Sequence, residues 1–106
     1  MRVLSILGSL LIVGAASAPA WAGDPANGRA LAQRDCAGCH LVSDRQAGPA
    51  ADGVPSFASI ARMPSTTELS LRAFLRTPHP PMPDLALSRT ETDDVVSYIL
   101  SLRNRP

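Results

Sequence analysis

Cys36, Cys39 and His40 are the tightest group of reactive side chains in the sequence, set out as Cys36-Ala37-Gly38-Cys39-His40. Two thiols two residues apart, followed at once by an imidazole, form the pattern that attaches a c-type haem covalently. One turn of helix brings both thiols to the spacing of the two haem vinyl groups, so each can close a thioether, and the next residue turns its imidazole under the iron as proximal ligand. Three other chemistries use a C-x-x-C pair: a thioredoxin-type redox couple, half of a zinc site and a structural disulfide. Zinc needs four ligands, and beyond the leader described next the chain offers only Cys36, Cys39, His40 and the distant His79, with no second cysteine pair. A thioredoxin-like site needs βαβ patterning around the motif, and the sequence has none.

The elements that must position this group lie in a short chain. At 106 residues the sequence allows one domain, and a composition 45% apolar and 18% charged is ordinary for a globular fold. Residues 1–22 read as a secretory signal: Arg2 is the positive n-region, Val3 to Ala18 is apolar or small, and Ala20-Trp21-Ala22 is an A-x-A cleavage signature. An uncleaved anchor is the rival reading, but the apolar run is short and carries Gly8 and Gly14. Cleavage after Ala22 leaves a domain over residues 23–106, in which nine Arg balance nine acidic residues and no lysine occurs. That neutrality suggests neither nucleic acid nor an anionic membrane as partner. A domain of this size has little core of its own, and a covalent haem would add apolar bulk to it.

Asp24-Pro25 opens the first helix, as N-cap and first helical residue, and an Ala-rich stretch runs from there into the haem motif. Gly28 interrupts it at a cost of about 1 kcal/mol relative to Ala, which points to a second helix approaching closely there. Residues 41–63 read as a long loop with a short helical turn around Phe57 and Ile60. Such a loop is uncommon in a compact domain unless it wraps something. Ser65-Thr66-Thr67-Glu68 reads as a capping box opening a helix that Thr77-Pro78 stops, with Leu69, Leu71, Phe74 and Leu75 on a broad apolar stripe. Pro78-His79-Pro80-Pro81-Met82-Pro83 is then a stiff, extended loop. A second capping box, Ser88-Arg89-Thr90-Glu91, starts the last helix. Val95, Ile99 and Leu102 form an apolar row there, flanked by Tyr98, and Arg103 and Arg105 stand at the negative end. No run alternates like a strand, so the chain reads as all-α.

The whole mature chain resembles a small, single-haem class I cytochrome c. The resemblance rests on Cys36-Ala37-Gly38-Cys39-His40, on Met82-Pro83 some forty residues later, and on the closing Leu87-Ser88-x-x-Glu91 helix with Tyr98. It implies three to four helices wrapped around one covalent haem c, with Gly28 packed on Tyr98 where the first and last helices cross. It also implies a proline carbonyl that accepts a hydrogen bond from His40, for which Gly48-Pro49 is the first candidate and Pro55 a rival. Two features depart from the family. Ala32 stands where many relatives carry an aromatic residue, and the docking lysines of mitochondrial relatives are absent.

Cofactor-binding residues on this reading are Cys36, Cys39, His40 and Met82, with His40 and Met82 on the iron. Met63, a gap-filling core residue on its bland reading, and His79, on its bland reading a loop histidine near a propionate, compete with Met82. Ligation by imidazole and thioether stabilises ferrous iron relative to bis-histidine ligation, and six-coordinate iron leaves no open position for substrate. The expected function is therefore that of a periplasmic one-electron carrier. Its partners would be redox proteins such as a periplasmic dehydrogenase or a terminal oxidase or reductase. A small peroxidase-like enzyme or ligand sensor, with methionine absent from the iron or easily displaced, is the alternative.

Overall fold

A computed structural model describes Gly14, residues 22–46 and residues 51–105. The expected leader, apart from Gly14 and Ala22, and the Gly48-Pro49 pair lie outside the described residues. Four helices follow one another: α1 (Pro25–Asp35), α2 (Phe57–Arg62), α3 (Glu68–Arg76) and α4 (Arg89–Ser101). Among the described residues there is no strand, only an isolated bridge between His79 and Met82. The all-α expectation is met.

The Asp24 side chain accepts from Ala26 N–H at 2.8 Å, with Pro25 at the start of the helix. α1 then lies along α4, burying Gly28, Leu31 and Ala32. A Cβ added to Gly28 would stand 2.0 Å from the Asp94 carbonyl oxygen and 2.8 Å from Tyr98 Cβ, so the helix backbones meet there at a distance only glycine permits. Ala32, in the place of the missing aromatic residue, has no exposed surface at all.

The capping box of α4 forms as read, Glu91 N–H donating to Ser88 Oγ at 3.1 Å and Ser88 N–H to Glu91 Oε2 at 2.8 Å. The helix itself is not amphipathic in the way its apolar row suggests. Every residue from Asp94 to Leu100 is buried, because α1 covers one side while α2 and α3 pack against the rest. α4 is the axis of the domain. It ends at Ser101, so Arg103 lies beyond it and donates to the carbonyls of Ala61 and Thr66, tying the α2–α3 connection to the C-terminal segment.

Three readings of α3 and its approach are corrected. Its N-cap is Thr67, whose hydroxyl accepts from Ser70 N–H at 3.0 Å while Thr67 N–H donates to Ser70 Oγ at 2.8 Å. Thr66 is buried with its hydroxyl on the Ile60 carbonyl, which shifts the helix start past Ser65. Glu68 therefore falls at the first position of the helix, not at the third. There it pairs with Arg72, which also reaches Asp93 of α4. The broad stripe narrows as well: Leu71 is buried, but Leu69 is 78% and Phe74 51% exposed. Met63, read as core filling, ends α2 and is also exposed.

Candidate functional site

Cys36 caps the C-terminus of α1, its N–H bonded to the Ala32 carbonyl at 2.9 Å, and the chain makes one further turn. The Cys36 carbonyl accepts from Cys39 N–H at 3.2 Å and from His40 N–H at 2.9 Å, so both thiols and the imidazole belong to a single hydrogen-bonded turn. Both cysteines are free thiols, Cys36 partly buried and Cys39 exposed. Burial, with the Asp35 charge adding to it, pushes the Cys36 thiol up to about 11, so it stays protonated at neutral pH. A protonated thiol is a poor nucleophile toward disulfides.

His40 is held on two sides. Its Nδ1–H donates to the Pro55 carbonyl at 2.7 Å, which fixes the tautomer and leaves Nε2 as the nitrogen available to a metal. Its ring packs on Phe57 with centroids 5.3 Å apart, and Phe57 in turn meets Tyr98 at 6.3 Å. The first candidate, Gly48-Pro49, is thus corrected: the rival, Pro55, is the proline whose carbonyl receives the imidazole.

Backbone partners hold the rest of this segment. Ala51 N–H donates to the Cys39 carbonyl at 3.0 Å and Phe57 N–H to the Leu41 carbonyl at 2.9 Å. Tyr98, buried in α4, donates its hydroxyl to the Val42 carbonyl, and burial raises the phenol above its ordinary value. Gln46 was not singled out by sequence reasoning, yet its carboxamide bonds Ala37, His40 and Val42 of the same segment. Nothing in the pattern of a lone loop glutamine signals that role.

Met82 lies half-buried in a tight loop after α3, its N–H on the His79 carbonyl at 3.2 Å. Its sulfur is 3.1 Å from His79 Nε2, while His79 Nδ1 bonds the Thr77 carbonyl at 2.7 Å and the ring packs against Phe74, tilted by 40° with centroids 3.8 Å apart. His79 and Met82 line the same small pocket, with Leu75, Leu85 and Leu87. Among the described residues no hydrogen bond or ring contact joins this loop to the His40 turn, and Met63 is in neither group.

The donor set fits a covalent haem: two free thiols on one turn, an imidazole presenting Nε2 because Nδ1 is held by a carbonyl, and a soft thioether on a separate loop. Comparison with known proteins agrees. The family model for cytochrome c matches residues 25–103. Cytochrome c-552 of Bradyrhizobium diazoefficiens is 50% identical over 94 residues, 89% of this chain and 89% of that protein. No solved structure matches. With the motif, the helices and the match running over the same stretch, the chain belongs to the cytochrome c family, has the all-α class I fold, and carries one covalently bound haem c.

Proposed function

We propose that this electron carrier works in the periplasm after its leader is cleaved following Ala22, with haem joined to Cys36 and Cys39 and its iron held by His40 and Met82. The observation that carries the reading is the 2.7 Å bond from His40 Nδ1–H to Pro55 O, because it directs Nε2 toward a metal on the turn that bears both thiols. The haem supplies an iron that accepts and releases one electron. Cys36 and Cys39 would hold the haem through thioethers, each S–H adding across one vinyl double bond so that a C–S and a C–H bond form with no external oxidant. His40, hydrogen-bonded to Pro55 and packed on Phe57, keeps its ring orientation when the charge on its ligand site changes, which limits reorganisation. Met82 supplies a neutral sulfur that favours the ferrous state.

The start of the folded unit supports the cleavage site. Gly23 N–H donates to Ser97 Oγ at 3.1 Å and Asp24 N–H to Asp94 Oδ1 at 2.8 Å, whereas Ala22 is exposed. A Cβ on Gly23 would lie 2.2 Å from the Asp93 backbone, so the domain is fitted to glycine at the residue that cleavage makes the first. Among the described residues no helix is long and apolar enough to cross a membrane. As a cytochrome c the protein exchanges electrons with redox partner proteins; a periplasmic dehydrogenase and a terminal oxidase or reductase are the proposed classes.

The test is the intact mass of the exported protein after denaturation. The expected value is the chain from Gly23 plus one haem. Acid-acetone that strips the colour would refute covalent attachment, and a mass retaining residues 1–22 would refute the cleavage site.

A further inference from the structure

The attachment turn presents more polar backbone than its own helix-like bonds satisfy. Within it the Cys36 carbonyl takes the N–H groups of Cys39 and His40, and the Ala32 carbonyl takes those of Cys36 and Ala37. The carbonyls of Ala37 and His40 and the N–H of the buried Val42 need partners from elsewhere. One side chain meets all three. Gln46 Nε2 donates to Ala37 O at 3.1 Å and to His40 O at 3.0 Å, and Gln46 Oε1 accepts from Val42 N–H at 2.8 Å. A primary amide is the neutral side chain that offers two N–H donors and an acceptor in one plane, so no carboxylate, hydroxyl or ammonium reproduces the set.

We propose that Gln46 is a positioning residue for the proximal iron ligand. It holds the main chain of His40 while Pro55 holds the ring, and a side chain fixed at both ends has little freedom left about its own torsions. The Tyr98 hydroxyl on Val42 O anchors the same segment to α4, so the restraint runs from the central helix through Val42 and Gln46 to His40. Loss of the amide loosens the ring on the Pro55 carbonyl, and an imidazole with a weaker Nδ1–H bond is a less basic ligand that stabilises ferric iron less. The role rests on His40 as the iron ligand.

The experiment uses the haem-loaded protein and Gln46→Met, a change of similar length without charge. Hydrogen exchange by NMR should show the His40 Nδ1–H and Val42 N–H exchanging roughly tenfold faster or more, with Val95 and Ile99 amides in α4 unchanged. The reduction potential should rise at the same time. Gln46→Glu, which keeps an acceptor for Val42 and loses both donors, should protect Val42 N–H while still releasing His40 Nδ1–H, and it gives the answer if the methionine variant does not mature. Unchanged exchange at His40 overturns the proposal, and so does a uniform acceleration of all amides, which is the mark of a merely structural residue. His40 ring signals without a paramagnetic shift in the ferric parent would instead overturn the ligand assignment beneath it.

Discussion

The two sides of the site are built in opposite ways. The turn and strap from Cys36 to Gln46 are held by hydrogen bonds from six directions: its own helical turn, Gln46, Ala51 N–H, Pro55, Phe57 N–H and the Tyr98 hydroxyl. The loop from Thr77 to Leu87 has few such bonds and takes its shape from four prolines, with its sulfur resting on a neighbouring histidine. The polypeptide therefore fixes the proposed ligand His40 outright and only delivers the proposed ligand Met82 to the neighbourhood. Covalent stiffness would lower the entropy lost on capture of Met82 by an iron, but it does not select Met82 over His79, whose nitrogen is 3.1 Å away. Damage on the first side should cost maturation and stability, and damage on the second should change the iron while sparing the fold.

The largest effect is expected from His40→Ala, which removes the group that the whole proximal network serves; purified protein should contain little covalent haem by absorbance. Gly28→Val comes next. Its side chain would collide with the Asp94 carbonyl at the α1–α4 crossing, and overpacking should cost about 3 kcal/mol in denaturant unfolding. Tyr98→Phe leaves the Val42 carbonyl without its buried donor, a loss of roughly 1–3 kcal/mol by the same measurement. The smallest effect falls on the distal loop, where Ala86 sits at φ 48°, a left-handed conformation that glycine takes freely. Ala86→Gly relieves that strain but adds freedom to the unfolded chain, so the net change should stay within about 1 kcal/mol. A loss there as large as that at Tyr98 would break the contrast between the two sides.

Much of this was legible in the sequence because it depends on short-range chemistry. Asp24-Pro25 and Ser88 with Glu91 fixed the starts of α1 and α4, and the glycine at position 28 announced a close helix crossing, for which the resemblance named Tyr98 as partner. What escaped depends on tertiary context. Thr66 turns inward to Ile60, which moved the start of α3; Pro55 rather than Gly48-Pro49 meets His40; and α4 is covered on every side, which its periodicity did not show. Gln46 was invisible for the same reason, since the three groups it bonds converge only after the chain has turned.

The distal assignment is the point on which the electron-carrier account turns, and a comparison of three holoproteins tests it most directly: Met82→Ala, His79→Ala and Met63→Ala, each examined for the far-red charge-transfer band of methionine bound to ferric haem. The account predicts that only Met82→Ala loses the band and shows a lower reduction potential, while His79→Ala and Met63→Ala keep both. A Met82→Ala protein that retains the band, or a parent whose spectrum is high-spin, would contradict it, the second result favouring a haem enzyme or ligand sensor.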